Sequence, residues 1–358
     1  MSEIARRTFA PDGSCTDGRG VSLRGHLLVA FYRSILKPAF PKRVDLAGAR
    51  VSIAKLDARL GGRNPDFDQI DVDANGVPGE WVTTHEGTAS RTILYLHGGG
   101  FMFRTPRTHA RLAARLCSAL DARAFIPKYR LAPEHPLPAA HEDCFAAYRW
   151  LLAGGHDPRR IVLIGDSAGG LLVLATLQRI RDAGLPAPSC GVMFSPGADL
   201  EAAQKLDANS AHRDPMIGVG MLELLQRVVI APVNVRDPLI SPCAGFLGSL
   251  PPLLFQAGST ELLLSQTVNA ALQVRAGGGF AELQVWPKMP HVFQAVHWLP
   301  EAGEALESVR GFVERHASVV TEEHTTGPIV AAGADTNSTD INPTDQGPDS
   351  APVLHHGS

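Results

Sequence analysis

Short apolar runs alternate with amphipathic segments along most of this sequence. The apolar runs are predicted strands and occupy residues 92–96, 124–126, 161–164, 191–194, 253–255 and 283–286. Apolar residues at helical spacing follow most of these runs, near residues 107–120, 138–152, 168–182, 265–276 and 300–316. Because continuous apolar strands are buried on both faces, the pattern predicts a mostly parallel sheet covered by helices on each side.

Three segments stand outside this alternation. Residues 68–84 predict a hairpin, because strand-like residues flank Asn75-Gly76, a dipeptide typical of two-residue turns. Residues 21–40 precede the sheet strands, and residues 201–235 interrupt them with an amphipathic stretch. Both segments are candidates for lids over the carboxyl ends of the strands, and the alternative for both is ordinary packing helices.

These patterns divide the sequence into three parts. Residues 1–67 are predicted to form an amino-terminal segment with cap helices. Residues 68–317 form the main α/β domain, with a candidate cap insertion at 201–235. Residues 318–358 contain no Lys, no Arg and no aromatic residue. Such a tail cannot bury enough apolar area to offset its ordering entropy, so it is predicted to be disordered.

Charge and cysteine content narrow the functional classes. Lys and Arg total 33 against 36 Asp and Glu, for a net charge of −3, which disfavours a nucleic-acid binder. The five cysteines show no CxxC spacing, so free thiols are expected rather than a disulfide framework or a zinc site. No apolar signal core follows the amino terminus, and residues 21–40 are too polar to span a bilayer, so a cytoplasmic protein is expected.

The sharpest chemical motif is Gly165-Asp166-Ser167-Ala168-Gly169, which lies between a predicted strand and a predicted helix. A serine on such a tight turn needs neighbours with almost no side chain, and the turn lifts its hydroxyl above the sheet beside a helix amino terminus. We therefore predict that Ser167 is a nucleophile, the alternative being an incidental serine in a glycine-rich turn. Asp166 is predicted to be structural, because it points away from its neighbour on so tight a turn.

A second glycine-rich motif, His97-Gly98-Gly99-Gly100-Phe101, follows the predicted strand at 92–96. Consecutive glycines let backbone N–H groups approach a substrate without obstruction by side chains. Such preset donors stabilise the oxyanion that develops in acyl transfer. Followed by a GxSxG motif after a later strand, this motif predicts an acyl-transfer enzyme.

The order of these motifs resembles that of the bacterial hormone-sensitive-lipase-like (family IV) esterases. The motifs are HGGGF at 97–101, Tyr129-Arg130-Leu131-Ala132-Pro133-Glu134, GDSAGG at 165–170 and Asp237-Pro238-Leu239. The resemblance covers residues 72–316 and is closest to the subgroup of monoterpene ε-lactone hydrolases. It implies an α/β-hydrolase fold, with a mostly parallel eight-stranded sheet flanked by helices and a helical cap. It also implies that Gly99 and Gly100, with Ala168, direct N–H groups into the oxyanion hole, while His97 organises the loop.

A serine nucleophile requires an imidazole base, and the order Ser…acid…His of this fold indicates where both partners lie. His291 follows the last predicted strand and is the predicted base, with His297 as its nearest rival. Glu261 lies between the strand at 253–255 and His291 and is the predicted acid, although many family members carry aspartate at the position of Thr260. Asp237 is the alternative acid. The alternative role for Glu261 is a carboxylate at the start of a helix.

The sequence thus predicts a serine carboxylic ester hydrolase with a Ser167, His291 and Glu261 triad that acts through an acyl-enzyme. Apolar residues in the candidate lids, such as Phe31, Ile35 and Leu225, predict a restricted pocket for short- to medium-chain esters. Lactone or amide hydrolysis uses the same groups and stays open, whereas the presence of His291 argues against a non-catalytic binding protein. We expect a small apolar ester as partner, with no nucleic acid, membrane span, metal or cofactor, and a homodimer stays open.

Overall fold

The computed structural model of the chain describes residues 8–16, 18, 20–38, 45–60, 66–85 and 88–317. Within these ranges, eight strands form one sheet in the order β1-β2-β4-β3-β5-β6-β7-β8. The strands are β1 (Phe67–Asp73), β2 (Pro78–Thr84), β3 (Arg91–Leu96), β4 (Ala122–Pro127), β5 (Ile161–Asp166), β6 (Cys190–Phe194), β7 (Leu253–Gly258) and β8 (Ala281–Trp286). Strands β3 to β8 run parallel, and β2 lies antiparallel to β1 and β4. The predicted mostly parallel sheet is confirmed.

The hairpin of β1 and β2 turns at the predicted dipeptide. Asn75 and Gly76 have φ of 58° and 92°, and the N–H of Ala74 donates to the carbonyl of Val77 at 2.8 Å. Two consecutive residues with positive φ form the turn that matches the twist of the flanking strands, and asparagine followed by glycine tolerates this conformation best.

Helices cover both faces of the sheet. The α-helices of the described residues are α1 (Leu23–Phe31), α2 (Leu46–Leu60), α3 (Pro106–Leu120), α4 (Ala139–Ala153), α5 (Ala168–Asp182), α6 (Leu200–Gln204), α7 (Ala208–Arg213), α8 (Val219–Leu225), α9 (Leu264–Ala276) and α10 (Pro300–His316). Successive strand side chains point to opposite faces, so Leu94 and Leu163 join one core cluster while Ile93 and Val162 join the other. Helices α4, α5 and α9 pack in the first cluster, and α3 and α10 pack in the second.

Helix α2 lies within residues 1–67, where cap helices are predicted, but outside the segment 21–40 that the hydrophobic pattern singles out. Its attachment to the domain includes a buried carboxylate: Asp57 accepts the backbone N–H of Arg107 at 3.0 Å and that of Thr108 at 2.9 Å, at the start of α3. These two N–H groups would otherwise lack partners within the helix. Apolar residues of the helix also pack on the domain: Ala49 is buried in the core, and Leu46 and Ile53 lie against it.

The two candidate lid segments are both helical. The first contains α1, which continues into a π-helical turn at Tyr32–Leu36. The second contains α6, α7 and α8, and α8 continues into another π-helical turn at Gln226–Ile230.

A short amino-terminal turn covers the open edge of β8. The N–H of Val285 donates to the carbonyl of Gly13 at 2.7 Å, and the Phe9 ring lies 5.3 Å from the Trp286 ring. Gly13 has φ of +85°, and a Cβ there would lie 2.6 Å from Leu283 Cγ. Glycine at this position therefore lets the turn fit closely against the strand.

The predicted tail, residues 318–358, lies outside the described residues. In the ranges that are described, no helix is long and apolar enough to cross a membrane. Three of the cysteines are buried free thiols: Cys117, Cys144 and Cys190.

Candidate active site

Ser167 occupies a strained turn between β5 and α5. Its backbone has φ of 53° and ψ of −118°, a sparsely populated region that costs ~1–3 kcal/mol for a residue with a side chain. A Cβ at Gly165 would lie 2.4 Å from the carbonyl oxygen of Gly169, and one at Gly169 would lie 1.8 Å from that of Leu96. Both flanking glycines are thus required by close backbone approach, as the GxSxG motif predicts.

A continuous chain of hydrogen bonds joins Ser167, His291 and Glu261. The Oγ of Ser167 lies 2.9 Å from Nε2 of His291, and Nδ1 of His291 lies 2.9 Å from Oε2 of Glu261. A carboxylate can only accept, so Nδ1 carries the proton and Nε2 is left to accept from the serine hydroxyl. The structure therefore brings all three predicted triad residues together.

The charge environment favours the protonated form of His291. Burial alone lowers the pKa of His291. The hydrogen bond that His291 donates to Glu261 and the negative charges of Glu261, Asp214 and Asp166 outweigh burial and raise this pKa above its ordinary value. An imidazolium formed at this position is thus stabilised by the surrounding carboxylates.

The second carboxylate oxygen of Glu261 is also fully engaged. Its Oε1 accepts the hydroxyl of Ser195 at 2.7 Å and the backbone N–H of Gly258. The Ser195 hydroxyl in turn accepts the N–H of Val292 at 3.0 Å, next to His291. Sequence reasoning missed Ser195, although its place directly after β6, at the same sheet edge as Ser167, is a signal that could have identified it.

Asp166 joins the serine turn to the glycine-rich loop after β3. Its Oδ1 accepts the N–H of Gly98 at 2.9 Å and the hydroxyl of Tyr95 at 2.7 Å. A Cβ at Gly98 would lie 2.2 Å from Oδ2 of Asp166, so this contact requires glycine. Asp166 thus holds the loop against the turn and does not contact His291 through a hydrogen bond, in agreement with the structural role predicted for it.

Three backbone N–H groups of the glycine-rich loop and the serine turn remain available. Gly99 has φ of +112°, and a Cβ there would lie 2.3 Å from the carbonyl oxygen of Phe103. Among the described residues, the amides of Gly99, Gly100 and Ala168 have no hydrogen-bond acceptor. Unpaired amides on two loops that Asp166 holds together can bind an anion.

His97 supports the glycine-rich loop through buried contacts. Its buried ring stacks on Tyr129 at 4.1 Å and on His109 at 5.1 Å, and its Nδ1 donates to the carbonyl of Gly98 at 2.7 Å. The Tyr129 hydroxyl donates to the carbonyl of His97 at 2.7 Å. Burial, together with the nearby His109 and Arg104, holds the pKa of His97 well below its ordinary value. His97 therefore stays neutral at physiological pH.

Arg50 of α2 connects the glycine-rich loop to the Tyr129–Glu134 motif. Its guanidinium donates to the carbonyls of Met102 at 3.0 Å and Ala132 at 2.9 Å, and to both carboxylate oxygens of Glu134 at 2.6 and 2.8 Å. Sequence reasoning missed Arg50, because no local pattern relates it to residues more than fifty positions away.

The rival candidates lie elsewhere. Asp237 accepts the N–H of Leu239 at 2.9 Å and closes its own turn. Thr260 donates its hydroxyl to the carbonyl of Met289 at 2.8 Å. His297 has its Nδ1 3.4 Å from Arg111 on the exposed surface. None of these three contacts Ser167 or His291 through a hydrogen bond.

The two candidate lid segments differ in their relation to the site. The methyl Cδ1 of Leu225, at the end of α8, lies 3.6 Å from the point where a Cβ would stand on Gly100. Phe31 and Ile35 of the first segment are instead exposed, at 41% and 59%. Of the two segments, the second supplies the apolar contact beside the glycine-rich loop.

No group of three or more His, Cys, Asp or Glu residues that could hold a metal occurs in the described part of the chain.

Known proteins resemble the chain along most of its length. A family profile of the alpha/beta hydrolase fold matches residues 93–295. The carboxylesterase/phospholipase LipF of Mycobacterium tuberculosis is 37% identical over 338 residues, which cover 87% of this chain and 90% of that protein. An acetyl-hydrolase of Streptomyces hygroscopicus is 38% identical over 249 residues, which cover 66% of this chain and 82% of that protein. A crystal structure of an esterase from the bacterial hormone-sensitive lipase family matches with a TM-score of 0.76 at 35% identity, covering 84% of this chain and 100% of that one.

Proposed function

We propose that this chain, which belongs to the α/β-hydrolase family and within it to the hormone-sensitive-lipase-like esterases, hydrolyses carboxylic esters through Ser167, His291 and Glu261. The observation that carries the proposal is the continuous chain of hydrogen bonds from the Ser167 hydroxyl to Nε2 of His291 and from Nδ1 to the Glu261 carboxylate, each 2.9 Å long. This arrangement supports activation of the serine by a base that a carboxylate orients.

In the first half of the reaction, Oγ of Ser167 attacks the ester carbonyl carbon while Nε2 of His291 takes the hydroxyl proton. The negative charge that develops on the former carbonyl oxygen is stabilised by the N–H groups of Gly99, Gly100 and Ala168, each of which is worth about 3 kcal/mol in such a site. The resulting imidazolium is stabilised by Glu261, which does not itself become protonated.

In the second half, the tetrahedral intermediate collapses. The bond from the carbonyl carbon to the alcohol oxygen breaks, and the imidazolium of His291 donates its proton to the departing alkoxide. Water then attacks the acyl-enzyme with His291 again as the base, and the acid is released with Ser167 restored.

We propose that the acyl group is short to medium in length. Leu225 beside Gly100 limits the room next to the oxyanion-hole amides, which supports this preference. The resemblance of the motifs to ε-lactone hydrolases makes cyclic esters the second class, since opening a lactone ring uses the same steps with the alcohol retained on the acyl chain. Amide hydrolysis would use the same catalytic groups, but an amine is a poorer leaving group than an alcohol.

The test is a series of p-nitrophenyl esters from acetate to dodecanoate, with ε-caprolactone followed by pH-stat titration. Ser167→Ala should retain the fold and lose hydrolysis to below about 1% of wild type, because the base then has no nucleophile to activate. Ser189→Ala is the matched control: its hydroxyl donates to the carbonyl of Ile161 at 2.7 Å, at the opposite end of β5, and the variant should keep wild-type kcat.

Two outcomes would contradict the proposal. Hydrolysis that survives in folded Ser167→Ala would show that another group is the nucleophile. Wild-type protein that binds these esters without turning any of them over would instead favour a non-catalytic binding protein.

A further inference from the structure

The loop after α7 carries a buried carboxylate that contacts the residue next to Glu261. Asp214 is fully buried, and its Oδ2 accepts the backbone N–H of Leu262 at 2.8 Å. Its Oδ1 accepts the N–H groups of Met216 and Ile217 at 2.7 and 2.8 Å. Every hydrogen bond of this carboxylate therefore goes to a backbone amide, and one of them fixes the peptide that follows Glu261.

The same loop is held from a distant part of the chain. The Nζ of Lys37, which follows the π-helical turn after α1, donates to the carbonyls of Ala211 at 2.7 Å, His212 at 3.2 Å and Asp214 at 2.5 Å. An ammonium group has three donors, and all three are used here. Lys37 thereby fixes the backbone that presents the Asp214 carboxylate.

We propose that Asp214, held in place by Lys37, is a positioning residue for the catalytic triad: it fixes the backbone of Glu261 through Leu262 and places a second negative charge near the His291 imidazole. This inference rests on the proposed esterase function. It means that the second lid segment, residues 201–235, helps to position Glu261. These contacts thus link three segments that are far apart in sequence, from Lys37 through the loop at 211–214 to Leu262 beside Glu261.

The charge on Asp214 has a measurable consequence. The charged groups that act on His291 are Glu261, Asp214 and Asp166; burial lowers the pKa of His291, and these three carboxylates raise it. Lys37 and Asp214 interact through their opposite charges. Loss of the Asp214 charge therefore lowers the pKa of His291 and moves the acidic limb of kcat/KM to lower pH, because the base must be neutral to accept the serine proton.

The test compares Asp214→Asn with Asp57→Asn on p-nitrophenyl butyrate. Asp57 is a matched control, because it is also a buried carboxylate that accepts two backbone N–H groups from another segment, at 3.0 and 2.9 Å, but it is not among the groups that act on His291. Asparagine keeps the size of the side chain, removes the charge and leaves an NH₂ group where one of the acceptors stood.

For Asp214→Asn we expect kcat to fall about tenfold or more with KM changed less than about twofold, and the acidic limb to move down by about half a pH unit or more. Asp57→Asn should lower the melting temperature and leave the limb in place. The proposal is overturned if Asp214→Asn keeps wild-type kcat and limb, or if it lowers kcat without moving the limb, as a merely structural change would.

Lys37→Met provides a second test if Asp214→Asn does not fold. It removes the ammonium but leaves the Asp214 carboxylate, so kcat should fall while the acidic limb does not move to lower pH. Wild-type kcat in Lys37→Met would show that the anchored loop does not position Glu261. Each measurement is made relative to an active wild-type enzyme, so a failure of the proposed function would already appear as inactivity of the wild type.

Discussion

Replacing Glu261 with glutamine changes one atom and should disable the base. The Oε1 of Glu261 accepts from both the Ser195 hydroxyl and the Gly258 N–H, so the carbonyl oxygen of glutamine has to take this position. Its NH₂ group then faces Nδ1 of His291, where the wild type has an acceptor at 2.9 Å. The imidazole must then adopt the tautomer in which Nδ1 accepts and Nε2 carries the proton. In that tautomer Nε2 cannot accept the proton of Ser167.

A wrong tautomer of this kind costs about 10⁴ in turnover, which corresponds to about 5.5 kcal/mol of transition-state stabilisation. The pH dependence should also change. In the wild type the raised pKa of His291 places the acidic limb of kcat/KM above about pH 6.5. In Glu261→Gln the contributions of Glu261 disappear while burial continues to lower this pKa, so the limb moves to lower pH.

The assay is kcat for p-nitrophenyl butyrate at pH 8 and kcat/KM between pH 5 and 9, with folding checked by circular dichroism. Asp237→Asn and Thr260→Ala are the controls and should stay within about tenfold of wild type, because neither side chain contacts His291. If Asp237→Asn loses most of its kcat while Glu261→Gln keeps nearly wild-type kcat, the assignment of Glu261 as the acid is refuted. Loss of activity in both while folded would mean that the acid role is shared.

Three further predictions concern the fold and the pocket. Gly169→Ala should lower the melting temperature by at least about 3 °C and abolish activity, because its Cβ would lie 1.8 Å from the carbonyl of Leu96; a stable, active variant in thermal unfolding would contradict the close packing. Leu225→Ala should raise the ratio of octanoate to butyrate hydrolysis by opening space beside Gly100, and an unchanged ratio would place the acyl chain elsewhere. Removal of residues 318–358 should change neither turnover nor melting temperature, and a loss of several degrees would show that the tail packs on the domain.

The parts of the site that the sequence predicts are those fixed by local backbone demands. Gly165 and Gly169 flank Ser167 because the turn between β5 and α5 has no room for side chains, and this demand is visible within five residues. His291 and Glu261 could be located because each follows a strand that its own apolar run reveals.

The parts that the sequence does not predict depend on contacts between distant segments. Ser195 lies 66 positions from Glu261, Asp214 lies 48 positions from Leu262, and Arg50 lies 84 positions from Glu134. A polar residue with a single distant partner produces no periodicity, so hydrophobic pattern cannot distinguish it from a solvated one. Helix α2 is connected to the domain partly by contacts of this kind, since Asp57 and Arg50 bind backbone groups of distant segments.

The amino-terminal turn over β8 has a consequence for self-association. An unpaired edge strand is a template on which another chain can add a strand, and β8 is the last strand of this sheet. While Gly13 accepts the Val285 N–H, that template is blocked by the chain's own backbone. A second copy could continue the sheet across this edge only after displacing the turn. The few residues around Gly13 therefore protect the edge of β8, so that its backbone hydrogen-bonding groups do not pair with a strand of another molecule.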